Sequence, residues 1–161
     1  MKYRTDFVTN SSSSSFIVAY KNSSEMMDDI RQFVENYEDD EWSHQYKDVV
    51  YDIFKNKISY EEALEEYTKY IEEKAYYASV TKAEYSEFIK KYGSHSNWIK
   101  SDEFIEKKKS FIEKEIENFK KNITPKNYIA LLEYSTSDGY YDVEGNLQDM
   151  LKGFCVRMDN H

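Results

Sequence analysis

Short apolar runs lie near the two ends of the chain, and the long stretch between them has the spacing of amphipathic helices. The runs at residues 16–20, 128–134 and 154–158 are short and bounded by polar turn residues, as buried strands usually are. From about residue 24 to residue 121, apolar residues recur every three or four positions. Four glycines and one proline are too few for the tight turns of an all-β protein. The sequence therefore predicts an α+β fold, with a small sheet from N- and C-terminal strands packed against a predominantly helical middle segment.

Local signals mark the ends of several predicted helices. Ser59 followed by Glu62, and Thr81 followed by Glu84, have the spacing of capping boxes. Gly93 stands where a residue in the left-handed conformation commonly ends a helix. These signals divide the helical middle into separate helices with short connections.

The length of 161 residues fits one domain of ordinary size, so we predict a single domain over residues 1–161. Its predicted elements are strands near 2–8, 16–20, 128–134 and 154–158, a helical insertion over about 24–121, and a short helix over 146–151. The predicted loops and turns cover residues 10–15, 93–101, 135–139 and 142–145.

Acidic residues are concentrated in the first part of the helical segment. The formal net charge is −9, yet residues 25–73 hold 16 acidic and 5 basic residues, a net charge of −11. Residues 74–127 hold 12 basic and 8 acidic residues, a net charge of +4. Such a charge distribution repels nucleic acid and anionic membranes. It suits a basic groove that holds DNA or RNA, although acidic helix faces also serve simply to keep a protein soluble.

The densest acidic run predicts a partner-binding surface. We expect a protein partner, for instance a nucleic-acid-handling complex, with no direct contact to nucleic acid or membrane and no cofactor. Exposed members of the 16 tyrosines would anchor such a contact. The candidate binding residues are Glu38, Asp39, Asp40, Glu41 and Trp42.

A run of five serines before the first apolar run has two readings. Hydroxyls and successive backbone N–H groups can bind an anion such as phosphate, which makes Asn10, Ser11, Ser12 and Ser13 candidate anion ligands. The run is neither a P-loop nor a nucleophile elbow, because it lacks glycine and a Lys-Ser/Thr ending. The other reading is a polar connecting loop.

An enzymatic alternative places Ser13, Asp159 and His161 at one end of the sheet as nucleophile, orienting acid and base. A protein of this kind would be a small-ligand or anion-binding protein, or a hydrolase. The histidines have no partner at metal-ligand spacing, so no metal site is predicted.

One cysteine and the absence of long apolar runs predict a cytoplasmic protein. Cys155 cannot form an intrachain disulfide, and we interpret it as a small hydrophobic residue in a strand. The apolar run at residues 16–20 is too short for a signal peptide, and no run approaches the ~18 apolar residues that span a bilayer.

The opening K-Y-R-T-D-F-V-T-N-S-S-S-S-S-F, from Lys2 to Phe16, resembles the start of a group of small proteins from Gram-positive bacteria and their phages. Members of this group open with K-x-R-x-x-F-V-[S/T]-N-S-S-S-S-S-F. The ending, with Arg157, Met158 and His161, is similar to that of some members. The resemblance implies a shared small sheet that hosts a variable insertion, and an origin in mobile elements. It implies no function and no catalytic residue.

Overall fold

A computed structural model describes residues 13–41, 43–135 and 138–159. The chain divides into two compact units. The sheet unit comprises residues 1–63 and 122–161, and the helical unit comprises residues 64–121. The predicted strand near residues 2–8 lies outside the described residues, and the single domain over residues 1–161 stays a prediction.

The sheet unit contains four antiparallel strands and confirms the α+β prediction. The strands are β1 (Ser13–Tyr20), β2 (Lys57–Ile58), β3 (Tyr128–Ser135) and β4 (Phe154–Asp159), in the spatial order β2-β3-β1-β4. The apolar strand β1 is therefore paired on both sides, by β3 and by β4. Burial on both faces explains why its sequence is almost continuously apolar from Phe16 to Tyr20.

The sheet begins earlier than the sequence predicts. Ser13–Ser15, expected in a loop, are the first three residues of β1 and pair with the end of β3. Ser14 and Ser15 also pair with β4, opposite Asp159 and Met158. Serine has little intrinsic preference for strands, so here the ladder on both sides overrides the local signal.

Seven helices lie among the described residues. They are α1 (Ser23–Tyr37), α2 (Ser43–Lys55), α3 (Tyr60–Ala78), α4 (Lys82–Tyr92), α5 (His95–Ile99), α6 (Asp102–Ile123) and α7 (Tyr141–Met150). No helix in the described part of the chain has the length and apolar character needed to cross a membrane.

The main core lies between one face of the sheet and three helices. Alternate residues of β1 and β3 point toward this core, which is completed by apolar side chains of α1, α2 and α7. Its fully buried members include Phe16, Phe33, Ile53, Leu132 and Leu147.

The predicted helix caps are confirmed. The Ser59 hydroxyl accepts the Glu62 N–H at 3.1 Å, and the Glu62 carboxylate accepts the Ser59 N–H at 3.4 Å. Thr81 and Glu84 form the same reciprocal pair at the start of α4. Gly93 ends α4 with φ of 84°, a conformation that side chains with a Cβ rarely adopt.

Three short elements differ from the prediction. The two-residue strand β2 has too little sequence to produce a pattern. Residues 93–101, expected in a loop, contain helix α5, which Ser94 caps by accepting the Asn97 N–H at 3.2 Å. Residues 142–145, expected in a turn, lie inside α7, because the apolar side chains of Val143 and Leu147 bury one face of that helix.

Candidate functional site

The acidic run Glu38–Glu41 forms an exposed turn between α1 and α2, which we call the acidic turn. All four of its residues are exposed. Backbone hydrogen bonds order it: Asp40 N–H donates to the Tyr37 carbonyl at 3.2 Å, and Ser43 N–H donates to the Asp40 carbonyl at 3.0 Å. Trp42, the fifth predicted binding residue, lies outside the described residues. The turn thus presents four carboxylates within four consecutive positions.

Three aromatic rings pack together at the helix ends that flank the acidic turn. Phe33 and Tyr37 lie in the last two turns of α1, and Tyr46 lies in the first turn of α2. Ring centroids are 4.8 Å apart for Tyr37 and Tyr46, and 5.4 Å apart for Phe33 and Tyr46. Such edge-on and tilted contacts add to the hydrophobic burial of the rings. They hold the adjoining ends of the two helices together, so the turn between them has a rigid base.

The two units differ sharply in charge. The sequence of the sheet unit holds 19 acidic and 10 basic residues, a net charge of −9. The sequence of the helical unit holds 12 of each, a net charge of zero. The whole net charge of the protein therefore belongs to the unit that carries the acidic turn.

Several acidic residues of the sheet unit accept hydrogen bonds from buried or partly buried tyrosines. The Tyr20 hydroxyl donates to Asp29 at 2.8 Å, which joins β1 to α1. The Tyr134 hydroxyl donates to Asp52, which joins β3 to α2. Two more bonds join α2 to α7 and to the residue just before it: Tyr46 donates to Asp142, and Tyr140 donates to Asp48. Asp29, Asp48 and Asp52 belong to the acidic segment of the sequence, so part of its charge serves to tie elements together.

These tyrosines stay protonated well into the alkaline range. Burial, followed by the hydrogen bond to Asp48, raises the pKa of Tyr140 to about 12. Burial and then the hydrogen bond to the neighbouring carboxylate also raise the pKa of Tyr20 and of Tyr46. For Tyr134, the cause after burial is the charge of Asp52. All four hydroxyls are therefore donors at neutral pH.

A second polar cluster lies where β1, β4 and α7 meet. The Ser14 hydroxyl is 2.8 Å from an Asp159 carboxylate oxygen and 3.2 Å from Glu144 Oε1, so it donates to one of the two carboxylates at a time. Arg157 Nε donates to Ser14 Oγ at 3.1 Å and to Asp159 at 2.7 Å. The guanidinium also lies 3.6 Å from Glu144, and its positive charge offsets that of this buried carboxylate.

This cluster joins three elements and leaves no room for a substrate at Ser14. The Ser14 side chain is 0% exposed, and its hydroxyl lies among charged side chains that already satisfy it. Such a cluster can fix the position of α7 on the sheet. It has no accessible nucleophile, since an attacking hydroxyl needs a substrate within reach.

The predicted serine site is only partly within the described residues. Ser13 is buried at the start of β1. Asp159 is the last residue of β4, and its carboxylate accepts hydrogen bonds from Ser14 and Arg157. His161 lies outside the described residues, as do the other three candidate anion ligands, Asn10, Ser11 and Ser12. The hydrolase and anion-binding readings therefore stay predictions.

Cys155 has the structural character that the sequence predicts. It lies in β4 and packs against the main core. Burial, followed by the charge of Asp29, raises the pKa of its thiol to about 12. The nucleophilic thiolate is therefore scarce at neutral pH.

The chain has no significant match among protein-family models, curated proteins or solved structures. Function must accordingly be argued from the residues themselves. The sequence reasoning missed the cluster of Ser14, Glu144 and Arg157, because Ser14 and Glu144 are 130 positions apart. Pairing of β1 with β4 brings Arg157 close to Ser14, and packing of α7 against the sheet brings Glu144 close, and no local pattern encodes either contact.

Proposed function

We propose that the protein is a non-enzymatic binding module that docks the acidic turn onto a basic surface of a larger protein partner. The observation that carries the proposal is the exposure of all four acidic residues of the turn. A groove that holds nucleic acid is the expected target, because such a groove is basic and suited to closely spaced negative charges. A phage-type inhibitor of a nucleic-acid-handling complex would act in this way.

Two features of the sheet unit support this proposal. Its net charge of −9 extends the negative potential beyond the turn itself, which speeds association with a basic partner. The packed rings of Phe33, Tyr37 and Tyr46 hold the turn before any partner arrives. A surface that is already ordered loses less conformational entropy on binding. A cytoplasmic setting belongs to the same proposal and is supported by the single cysteine.

The test compares two double variants that change the charge equally. Asp39→Lys with Glu41→Lys alters the acidic turn, and Glu72→Lys with Glu73→Lys alters exposed residues of α3 in the helical unit. Both variants raise the formal net charge of −9 by the same four units. The tagged proteins are used to capture partners from bacterial lysate at about 50 mM and about 500 mM salt, because screening shortens the reach of charge interactions.

The proposal expects one partner that the unaltered protein and the α3 variant retain and that the acidic-turn variant loses. The purified partner should bind nucleic acid, and the unaltered protein should displace that nucleic acid in a competition assay. High salt should weaken the complex. Equal retention by the two variants, or a complex that is insensitive to salt, would show that the acidic turn is not the docking surface.

A further inference from the structure

The helical unit contains a cavity of about 640 Å³. It lies between the end of α3, the start of α4 and the short helix α5, and all of its lining residues belong to this unit. Small-molecule sites commonly have volumes of about 300–1,000 Å³ and mainly aromatic or apolar walls with a few polar groups. This cavity has both properties, and it is distinct from the acidic turn.

Trp98 lies at the base of the cavity and is almost entirely covered by neighbouring rings. The residue is 1% exposed, and its ring centroid lies 4.4 Å from that of Phe104 and 5.7 Å from that of Phe88. Both phenylalanines are buried in the core of the helical unit. Tyr85 stands edge-on to Trp98, with centroids 5.1 Å apart and an interplanar angle of 85°. His95 lies 5.3 Å from the indole ring. Flat rings in fixed positions suit a ligand that is itself flat and aromatic.

Exposed tyrosines form the rim of the cavity. Tyr77 is 87% exposed, whereas Tyr76 and Tyr85 are 45% and 39% exposed. Tyrosine offers a large contact area at a small cost in conformational entropy, which is why it is frequent in recognition surfaces. Three such rings around one opening offer a bound aromatic ring a large contact area.

The electrostatics of the cavity favour an anion. None of the lining residues is acidic, although the chain has 31 acidic residues. Lys82 lines the cavity, is exposed, and makes no ion pair with any residue that the structure describes. It occupies the first position of α4, where a positive charge opposes the helix dipole. Glu84, the acidic residue nearest to Lys82 along α4, already forms an ion pair with Lys107 and accepts the Thr81 N–H.

Trp98 also carries an unsatisfied donor. Its indole N–H is buried and has no hydrogen-bond partner in the described ranges. Buried donors without an acceptor are rare in native proteins. Because this N–H is covered, it serves as a spectroscopic reporter at the base of the cavity and not as a ligand contact.

We infer that this cavity binds an aromatic anion, a planar ring system carrying one acidic group, with the ring against the rim tyrosines Tyr77 and Tyr85 and the acid at Lys82. Two sources share this chemistry: an aryl carboxylic acid and a nucleoside monophosphate. The inference is independent of the proposed acidic docking surface, because the two concern different units and different charges.

Calorimetric titration of the full chain tests the inference with matched probes. 2-Naphthoate, 2-naphthylmethylammonium and naphthalene-2-methanol share one ring system and differ in charge. AMP and adenosine form a second pair that differs only in the phosphate. The inference expects one site per chain, with the anion binding best among the three naphthyl probes, in the nucleoside pair, or in both sets. Preference for the anion among the three naphthyl probes assigns an aryl acid, and preference for AMP over adenosine assigns a nucleotide.

Three variants locate the site. Lys82→Met should weaken binding of the preferred anion about fivefold, as expected for loss of one favourable charge contact. Lys90→Met, at the exposed far end of the same helix, is the control and should leave binding unchanged. Tyr85→Ala should weaken every aromatic probe. In ¹H–¹⁵N spectra, the indole N–H signal lost in Trp98→Phe should be the one that shifts with ligand.

Several results would overturn the inference. One is the absence of heat and of any shift in the Trp98 indole signal at millimolar anion. Another is equal binding of the ammonium and carboxylate probes, which would remove the argument from charge. A third is a Lys82→Met variant that binds the anion as well as Lys90→Met does. Normal thermal unfolding of each variant establishes that the fold is intact.

Discussion

Two glycine-to-alanine substitutions in the sheet unit should change stability in opposite directions. A Cβ atom built on Gly153 would lie 2.8 Å from Cδ1 and 2.9 Å from Cζ of the Tyr20 ring, with Cε1 closer still. Carbon atoms in good contact are about 3.5–4.0 Å apart, so either the ring or the backbone must move. For Gly145, in α7, the equivalent position has no heavy atom within 4 Å apart from its chain neighbours and the backbone of its own helix.

The Tyr20 ring has little freedom to move. It is fully buried, and its hydroxyl donates to Asp29 at 2.8 Å. The same carboxylate accepts the backbone N–H groups of Lys152 and Gly153 at 3.1 Å. The ring, the carboxylate and the glycine backbone therefore form a closed set of contacts, and displacement of one member disturbs the others.

We expect Gly153→Ala to lower the free energy of unfolding by about 2–3 kcal/mol, the upper part of the range for overpacked cores. Gly145→Ala should raise it by about 0.5–1 kcal/mol, since alanine favours helix and restricts the unfolded chain. Urea unfolding followed by circular dichroism measures both values, provided that the slope with urea is the same for the variants being compared.

A double variant isolates the cause. Tyr20→Phe keeps the ring but removes its bond to Asp29, so the ring can shift and Gly153→Ala should cost less in that background. A neutral or stabilising Gly153→Ala would refute the reasoning, because it would mean that the ring yields freely. An unchanged cost in the Tyr20→Phe background would show that the hydrogen bond does not hold the ring.

Two further predictions follow from the buried titratable groups. In an alkaline titration read by tyrosinate absorbance, Tyr67 and Tyr140 should ionise near pH 12, and Tyr20 only at higher pH, whereas all of them ionise near pH 10 in the unfolded chain. The pKa values of these tyrosines in the folded protein exceed the value in the unfolded chain. The groups therefore contribute stability that is present below about pH 10 and is lost as the pH rises through the folded pKa values. A native titration with a single transition near pH 10 would contradict this. Cys155, whose thiol pKa burial raises to about 12, should react with a thiol reagent at pH 8 far more slowly in the folded protein than in urea; equal rates would mean that the thiol is accessible.

Many features of the fold are determined by residues close together in the sequence and can be predicted from it. The capping boxes at Ser59 and Thr81 and the left-handed Gly93 are formed by residues within a few positions of one another, so the sequence predicts them correctly. The apolar runs at residues 16–20 and 128–134 identify two strands that pair directly. In each case the deciding interaction is either local or a simple consequence of burial.

Features that depend on distant parts of the chain are not predictable in this way. Ser14 lies in a strand because β3 and β4 pair with it, and its neighbours Glu144 and Arg157 reach it only through the fold. The cavity beside Trp98 likewise depends on the packing of α3, α4 and α5. The exposure of the acidic turn could be predicted, because four consecutive acids are almost never buried.

The position of β1 in the sheet has a consequence for the order of synthesis. Both neighbours of β1 lie far along the chain, so a growing polypeptide carries this apolar strand without a partner until residues 128–135 and then 154–159 have left the ribosome. The uncharged segment Phe16–Tyr20 would meanwhile be free to associate with other nascent chains. Rapid folding of the intervening helices would shorten the distance between β1 and its partner strands. Chaperone binding to this segment would protect it until β3 and β4 pair with it.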